Sequence, residues 1–492
     1  MLTDVAPWTP TDAYVGGDWV EADEGRRFAV TNKATGEVIG EVPSMTAVET
    51  RRAIEAAEAA LPAWRARTAA QRAEILQRWA ALMLKQRDEL ARLLTLEQGK
   101  PLAESQAEIA YAASFLQWFA EEGRRIYGDI IPPHQPDKRI MVFKQGIGVA
   151  CGITPWNFPS AMVTRKAAPA LAAGCTFVLK PAEYTPLSAL AVAALGEQAG
   201  VPGGVFNVVT CDKAGAAEIG AEMTSNPVVR KVAFTGSTAT GKILMKQCAE
   251  HMKRISLELG GNAPFIVFDD ADFAAALEGA LICKFRNSGQ TCISANRIFV
   301  QRGIHARFAA ALAERAADLT VGSGLESGVQ QGPLISPDAV AKVERHIADA
   351  QARGARLLTG GRRHTLGGTF FEPTVLDDID QEMELSSAET FGPVAALRPF
   401  DNEDEVIRLA NDTPYGLAAY VYTENNSRVW RLSEALESGI VGMNTGLIST
   451  EVAPFGGMKH SGFGREGSKY GIEDWVEVKY VCVGIRPAEG EA

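Results

Sequence analysis

Hydrophobic positions change their spacing along the chain. Between residues 47 and 122, apolar side chains recur at helical spacing among many Ala, Glu and Arg residues, which predicts a set of amphipathic helices. From Gly146 onward, short β-branched runs alternate with Ala-rich helical windows. This alternation is typical of βαβ units and predicts a parallel sheet with helices on both faces. Ligands of such sheets bind outside the carboxyl ends of the strands.

A second alternating region begins near Asn262 and continues through GLAAYVY and GIVGMNTG. It predicts a second α/β domain with its own sheet. Two further strand-like pieces, Arg125 to Lys144 and Trp475 to Ile485, belong to neither pattern. Because exposed strand edges usually pair with a partner, we expect these pieces to make subunit contacts.

Length and charge narrow the class of protein. The 492 residues exceed what one hydrophobic core usually supports, so we expect two or more domains, with ligands at their interface. The net charge of −11 is spread along the chain without a Lys/Arg stripe, which argues against a nucleic-acid partner.

Cysteine usage and the apolar runs bear on location. The seven cysteines are odd in number and contain no CxxC pair, which argues against a disulfide framework and a zinc site. The N-terminus lacks the pattern of a secretory signal, and no apolar run approaches the roughly 20 residues that span a bilayer. We therefore expect a cytoplasmic protein with reduced thiols and no membrane partner.

Three short motifs carry candidate catalytic groups: Cys292 in NSGQTC, Glu258 in SLELGG and Asn157 in GITPWNFPS. A thiol between a helix and a strand can be exposed at a sheet's carboxyl edge and become reactive beside a cation. A carboxylate in apolar surroundings can act as a general base, and a fixed amide can stabilise an oxyanion. Taken alone, each motif fits a structural role better, namely a buried cysteine, a capping glutamate and a turn asparagine.

The segment FTGSTATGK lies at a predicted strand-to-helix junction, where a helix N-terminus can accept a phosphate. It nearly matches a P-loop, but Ile243 stands where the Mg²⁺-binding hydroxyl belongs. The GxGxxG pattern is absent, so a dinucleotide would be held in a variant manner. The six histidines have no ligand spacing, and we expect no metal. An NTPase and a non-catalytic binding protein remain alternatives at this point.

Seven motifs together resemble the aldehyde dehydrogenase family in content and order: TPWNFP, VLKPAEYTP, FTGSTATG, LELGGNAP, GQTC, ETFGP and PFGGMKHSGFGRE. The resemblance implies an α/β fold with a variant Rossmann NAD(P)-binding domain (residues 1–124 and 146–258) and an α/β catalytic domain (259–468). It also implies a small β oligomerisation flap (125–145 and 469–492) and a homodimer or homotetramer.

The same resemblance implies the roles of individual residues. Cys292 matches the nucleophile, Glu258 the general base, and Asn157 the oxyanion donor, assisted by the backbone N–H of Cys292. The residues that match cofactor contacts are Trp156, Lys180, Glu183, Gly236, Ser237, Leu259 and Glu389. Because Glu183 can accept hydrogen bonds from the adenosine ribose and repel a 2′-phosphate, NAD is the expected cofactor, with NADP as the alternative.

Four segments, among them TRKAAPALAAGC and NTGLIST, resemble those family members that oxidise aldehydes with a distal carboxylate, above all succinate semialdehyde. The resemblance implies that Arg165, Arg286 and Ser449 hold this carboxylate, since Arg offers a planar fork for it. Glutarate semialdehyde is one methylene longer, worth only about 1–3 kcal/mol in a pocket, so it stays open. Some relatives carry a second cysteine two residues after the nucleophile. Here Ser294 stands in its place, so that redox switch is expected to be missing.

Overall fold

The computed structural model describes residues 6–486, so residues 1–5 of the expected cofactor domain and 487–492 of the expected flap lie outside the described residues. The helices are α1 (Ala47–Ala66), α2 (Ala69–Lys85), α3 (Arg87–Gln98), α4 (Leu102–Glu122), α5 (Ala161–Ala172), α6 (Pro186–Gln198), α7 (Ala216–Ser225), α8 (Thr238–Ala249), α9 (Phe273–Phe285), α10 (Arg302–Ala317), α11 (Pro337–Ala352), α12 (Glu384–Ser387), α13 (Glu403–Asn411) and α14 (Asn426–Ala435).

The strands form four sheets. In chain order they are β1 (Ala13–Val15), β2 (Asp18–Val20), β3 (Arg27–Thr31), β4 (Val38–Pro43), β5 (Asp129–Ile131), β6 (Lys138–Gly146), β7 (Val149–Ile153), β8 (Thr176–Lys180), β9 (Phe206–Val208), β10 (Val229–Thr235), β11 (Arg254–Glu258), β12 (Ala263–Val267), β13 (Ala295–Gln301), β14 (Arg356–Thr359), β15 (Thr374–Asp377), β16 (Val394–Phe400), β17 (Ala418–Tyr422), β18 (Ile440–Met443), β19 (Gly462–Phe463) and β20 (Val476–Gly484).

Helices α1 to α4 account for the helical pattern of residues 47–122, so that prediction is confirmed. The chain itself marks where the first two begin. Thr46 and Thr68 cap α1 and α2, and each closes a capping box with the third residue of its helix, Glu49 and Gln71. Helix α4 packs against α2 and α5, which brings it alongside the first large sheet.

The first sheet has the strand order β19-β11-β10-β7-β8-β9-β1-β2, and the strands from β11 to β9 run parallel. Alternate residues of its strands enter two different cores. Phe177 and Leu179 pack with residues of α2, α4, α5 and α6, whereas Cys151 and Val178 pack with residues of α1 and α7. The predicted parallel sheet with helices on both faces is therefore confirmed.

The strand order places a switch point between β7 and β10. From β7 the chain proceeds to β8 and β9 on one side, and later to β10 and β11 on the other. The connections diverge there and leave a crevice beyond Ile153 and Thr235, the last residues of β7 and β10. Such crevices are where open α/β sheets bind their ligands.

The second sheet, in the order β14-β15-β16-β13-β12-β17-β18, is parallel apart from β14 and confirms the second α/β pattern. Residues 259–262 alone connect β11 to β12. The carboxyl end of a strand in the first sheet therefore lies next to the amino end of a strand in the second. Strand β19 completes the edge of the first sheet, although its residues fall within the expected catalytic segment 259–468.

A third sheet, in the order β20-β6-β5, contains the two strand-like pieces that fall outside both patterns. Strand β6 pairs antiparallel with β20 along its whole length and with β5 on its other side. The sheet leaves large apolar side chains exposed, including Ile130 and Val478. The prediction that these pieces are strands is confirmed.

Candidate active site

The predicted catalytic groups come from both large sheets. Asn157 lies in the loop after β7, and Glu258 is the last residue of β11, so both lie at the carboxyl edge of the first sheet. Cys292 instead precedes β13, at the amino edge of the second sheet. The expectation that this thiol lies at a carboxyl edge is wrong. The thiol reaches the site because the amino edge of the second sheet meets the carboxyl edge of the first.

Two cavities meet at Cys292. One has a volume of about 230 Å³ and the other of about 370 Å³, and Met162 and Cys292 line both. A thiol in that position can react with a ligand in the smaller cavity while a second ligand fills the larger one.

The smaller cavity contains all three residues predicted to hold a substrate carboxylate, Arg165, Arg286 and Ser449. Arg165 is 2% exposed, and its guanidinium lies 3.9 Å from the ring centroid of Phe455. Arg286 is half-buried and lies 5.6 Å from the ring of Phe158. Two guanidinium groups against aromatic walls make the cavity suitable for an anionic ligand.

The larger cavity includes most, but not all, of the predicted cofactor residues. Those lining it are Trp156, Gly236, Ser237, Leu259 and Glu389. Lys180 and Glu183 do not line it; they pair with each other at 3.8 Å, and the neighbouring Tyr184 faces the cavity instead. Lys180 and Glu183, which are expected to contact the ribose, therefore do not belong to the lining of this cavity.

The start of α8 borders this cavity, and its geometry follows from the local sequence. Ser237 caps α8 by accepting a hydrogen bond from the Thr240 N–H at 3.2 Å. Gly236 is needed beside it, because a Cβ there would lie 2.4 Å from the ring of Phe234. The remaining N–H groups of the first turn of α8 are suited to a phosphate.

Glu389 lines the same cavity, close to the start of α8: a Cβ on Gly260 would lie 3.0 Å from its Oε2 and 3.4 Å from Thr238 Oγ1. One carboxylate oxygen accepts the Gly261 N–H at 3.0 Å, and burial raises the pKa of this carboxyl to about 7 despite that bond and nearby lysines. The loop is fixed from both sides by Asn296, which donates to the Ala388 carbonyl and accepts from the Thr390 N–H. Glu389 is thus a held hydrogen-bond acceptor, suited to the hydroxyls of a ribose.

The electrostatic surroundings of Cys292 oppose ionisation. Burial and the carboxylates of Glu389 and Glu258 raise its pKa to about 12, although Arg165 and Arg286 act in the opposite direction. The nearby cations do favour the thiolate, as expected, but burial outweighs them. A proton acceptor is therefore required for the thiol to react.

Glu258 is suited to that requirement. Its side chain is buried, and within residues 6–486 neither carboxylate oxygen has a hydrogen-bond partner. Burial and the nearby Glu466 raise its pKa well above the ordinary value. A Cβ on Gly456 would lie 2.9 Å from one oxygen, so only glycine permits this close approach.

Glu466 has the opposite tendency and was not predicted from the sequence. Lys166 donates a short hydrogen bond to it, and Arg165 Nε lies 2.6 Å from its other oxygen. These cations lower the pKa of Glu466, so it stays ionised while Glu258 tends to be protonated. Opposed pKa values in two neighbouring carboxyls are typical of sites that move protons.

The amide of Asn157 is oriented by the loop before Cys292. Its Nδ2 donates to the Gln290 carbonyl at 3.1 Å, which leaves one N–H of the amide for a ligand, and its buried Oδ1 has no hydrogen-bond partner among the described residues. Its main-chain carbonyl accepts from Lys100 Nζ at 2.7 Å and from Asn287 Nδ2 at 3.0 Å. The amide and the loop carrying the thiol are thus held together.

A buried ion pair lies beneath this arrangement. Lys100 Nζ is 2.7 Å from Glu108, with both side chains fully buried, and Glu108 also accepts the N–H groups of Ser160 and Ala161. The sequence motifs do not include this pair, because neither residue belongs to a recognised segment. A Glu on the apolar face of α4, next to buried Ile109, Ala112 and Phe115, was the available signal.

The loop before Cys292 adopts an unusual backbone. Asn287, Ser288 and Gly289 have φ values of 52°, 53° and 73°. A Cβ on Gly289 would lie 2.1 Å from the Gly392 carbonyl oxygen, which only glycine avoids. Gln98 Nε2 donates to Asn287 Oδ1 at 2.9 Å and helps to hold the left-handed turn.

The sequence also predicts that the protein binds no metal ion and does not associate with a membrane. Within residues 6–486, no group of three or more His, Cys, Asp or Glu side chains could hold a metal ion. In the same part of the chain, no helix is long and apolar enough to cross a membrane.

The chain belongs to the aldehyde dehydrogenase family, whose sequence pattern matches residues 19–481. It is 63% identical over 472 residues to a glutarate-semialdehyde dehydrogenase of Pseudomonas aeruginosa, covering 96% of this chain and 97% of the relative. It is 62% identical over 473 residues to the succinate-semialdehyde dehydrogenase [NADP(+)] of Escherichia coli, covering 96% and 98%.

A crystal structure described as an E. coli NADP-dependent enzyme superposes with a TM-score of 0.96 at 61% identity, covering 97% of this chain and 98% of that one. The predicted family and fold are thereby confirmed, and the chain is an NAD(P)-dependent aldehyde dehydrogenase.

The raised pKa of Cys292 predicts how the free enzyme reacts with iodoacetamide. Only the thiolate is alkylated, and its fraction rises about tenfold per pH unit below the pKa. We therefore expect the alkylation rate of Cys292 to keep rising from pH 7 to pH 9 without a plateau, as measured by mass spectrometry of the labelled peptide. Cys292→Ala gives the background from the exposed Cys482. A plateau below pH 8 would show that the cations prevail over burial.

Proposed function

We propose that the enzyme oxidises aldehydes that carry a distal carboxylate, succinate semialdehyde above all, with NAD(P)⁺ as hydride acceptor. The observation that carries this proposal is the buried Arg165 guanidinium in the cavity that Cys292 also lines. Its Nη2 has no hydrogen-bond partner in the part of the chain that the structure describes. A buried charged donor without an acceptor is costly unless a ligand supplies one.

Charge balance also supports an anionic ligand. Arg165 and Lys166 share the single carboxylate of Glu466, so this buried group of three side chains carries one excess positive charge. Arg286 adds a second guanidinium on the cavity wall. A carboxylate in the cavity would balance the charge and accept hydrogen bonds from both guanidinium groups.

The names of the relatives point in the same direction. One relative is named for glutarate semialdehyde and the other for succinate semialdehyde, and these substrates differ by one methylene. A cavity of about 230 Å³ accommodates either molecule. We propose succinate semialdehyde as the principal substrate and glutarate semialdehyde as the alternative.

The chemistry proposed for the site begins at the thiol. Glu258 in its ionised form accepts the Cys292 proton, and Sγ bonds to the aldehyde carbon. The resulting oxyanion accepts hydrogen bonds from the free N–H of the Asn157 amide and from the backbone N–H of Cys292. A nicotinamide dinucleotide bound in the larger cavity supplies the acceptor for the hydride that leaves this carbon. Glu258 releases that proton to solvent and then takes one from water, whose oxygen attacks the thioester carbon. The carbon–sulfur bond breaks, the carboxylic acid leaves, and the Cys292 thiolate regains a proton from Glu258.

The residues that line the larger cavity have the chemical character that a bound dinucleotide requires. We propose that Gly236 and Ser237 hold the pyrophosphate at the start of α8, that Glu389 accepts from the nicotinamide ribose, and that Trp156 and Leu259 line the cleft. Gly241 leaves room for the apolar side chain of Leu259, because a Cβ at position 241 would lie 2.5 Å from that leucine.

We also propose the domain division given by the family: a cofactor domain of residues 1–124 and 146–258, a catalytic domain of 259–468 and a flap of 125–145 and 469–492. The exposed apolar side chains of the third sheet support a role for the flap in joining subunits into a homodimer or homotetramer.

Substrate recognition is tested with Arg286→Ala and with Arg165→Lys, which keeps a charge facing Glu466. We expect kcat/KM for succinate semialdehyde to fall roughly ten- to a hundredfold in each, because a charged hydrogen bond is lost. Activity on butanal, an uncharged aldehyde of similar length, should change little. The measurement is the rate of reduced-cofactor formation with both aldehydes. Equal losses on the two substrates would assign the arginines to structure alone.

The division of labour between Cys292 and Glu258 is tested by pre-steady-state kinetics. Cys292→Ala should abolish oxidation. Glu258→Gln, which keeps the shape of the side chain, should give a burst of reduced cofactor and then stall, because the thioester is not hydrolysed. A slower burst would show that Glu258 also takes the thiol proton. Full steady-state turnover in either variant would contradict the mechanism.

Cofactor preference is proposed to depend on Glu183, whose carboxylate favours NAD⁺ by accepting from ribose hydroxyls and disfavours NADP⁺ by repelling its 2′-phosphate. Lys180 lies 3.8 Å away and is available to a phosphate if Glu183 turns outward. We expect Glu183→Ser to improve kcat/KM for NADP⁺ relative to NAD⁺. An unchanged ratio, or a native enzyme that already prefers NADP⁺ as its E. coli relative's name suggests for that protein, would remove Glu183 as the determinant.

A further inference from the structure

One face of helix α4 forms a wall of the smaller cavity. Glu104, Ala107, Glu108 and Tyr111 line it, at the spacing i, i+3, i+4 and i+7 that places side chains on one face of a helix. The carboxylates in this stripe have protein partners: Glu104 accepts the Asn287 N–H and Glu108 pairs with Lys100. Tyr111 differs from them.

The phenol of Tyr111 has no such partner. Its ring packs edge-on against Phe115 with centroids 4.8 Å apart, which fixes the direction of the hydroxyl. The oxygen is buried, yet it makes no hydrogen bond to any of residues 6–486. Buried hydroxyls are rarely left unpaired, so an orphan hydroxyl on a cavity wall points to a ligand atom as its partner.

The surroundings of this hydroxyl determine what that partner is. Arg165 and Arg286 lie close enough to lower the pKa of Tyr111, but burial outweighs them and the phenol stays protonated. The hydroxyl is therefore a donor, and Arg165 and Arg286 on the wall are themselves donors that cannot accept. The two carboxylates of the helix already have partners, Lys100 and the Asn287 N–H. Only an anion or another strong acceptor brought by a ligand would satisfy all three groups together.

We propose that the Tyr111 hydroxyl donates a hydrogen bond to the distal carboxylate of the substrate, beside Arg165 and Arg286, and so is a further specificity-determining residue. This inference rests on the proposed function. It extends the carboxylate site to helix α4, which the sequence motifs did not single out.

Tyr111→Phe tests the inference because it removes only the hydroxyl. We expect kcat/KM for succinate semialdehyde to fall roughly ten- to a hundredfold, mainly through KM, and inhibition by succinate to weaken by a similar factor. Turnover of butanal should stay within about threefold of the native value. The melting temperature should be unchanged or higher, because an unpaired buried polar atom is removed. Tyr14→Phe, at a buried tyrosine that lines neither cavity, is the matched control.

The outcomes separate this inference from the proposed function. If the native enzyme does not favour succinate semialdehyde over butanal, the proposed function fails. If the native enzyme does favour it and Tyr111→Phe keeps that preference, only the role of Tyr111 fails. A variant that loses activity equally on both aldehydes would show that the phenol supports the wall without contacting the carboxylate, which also overturns the inference.

Discussion

The main-chain oxygen of Asn157 is the point on which the active site depends. It accepts from Lys100, which belongs to a fully buried ion pair, and from Asn287, which begins the turn leading to Cys292. One atom therefore joins the carboxyl edge of the first sheet to the amino edge of the second. Removing one member of a buried ion pair typically costs about 3–5 kcal/mol, because the other charge is left without compensation. This free-energy cost opposes any separation of the two loops, which belong to different sheets.

Burial also explains the behaviour of the ionisable groups. The thiol, Glu258 and Glu389 are all pushed toward their neutral forms, while Glu466 is kept ionised by Lys166 and Arg165. Glu258 and Glu389 therefore contribute little negative charge next to the thiol. The excess positive charge of the site is available to an incoming anion.

Sequence patterns predicted much of this protein because they are local. Alternating strands and helices gave the two sheets, and short motifs marked Asn157, Glu258 and Cys292 as residues of one site. The pattern failed where placement depends on distant parts of the chain. Cys292 lies at an amino edge because the second sheet meets the first head to tail, and Glu466 reaches Lys166 across 300 positions. A buried lysine such as Lys100 has no local signal at all.

The two cavities share only Met162 and Cys292 along their described walls. Most other lining residues can therefore change in one cavity without facing the other, although Glu108 of the smaller cavity is joined through Lys100 to Asn157 of the larger one. Such a division lets one chemical step be retained while either ligand is exchanged during evolution or by directed mutation. Met162 is the exception, since its flexible thioether borders both spaces, and a change there would alter the recognition of both ligands at once.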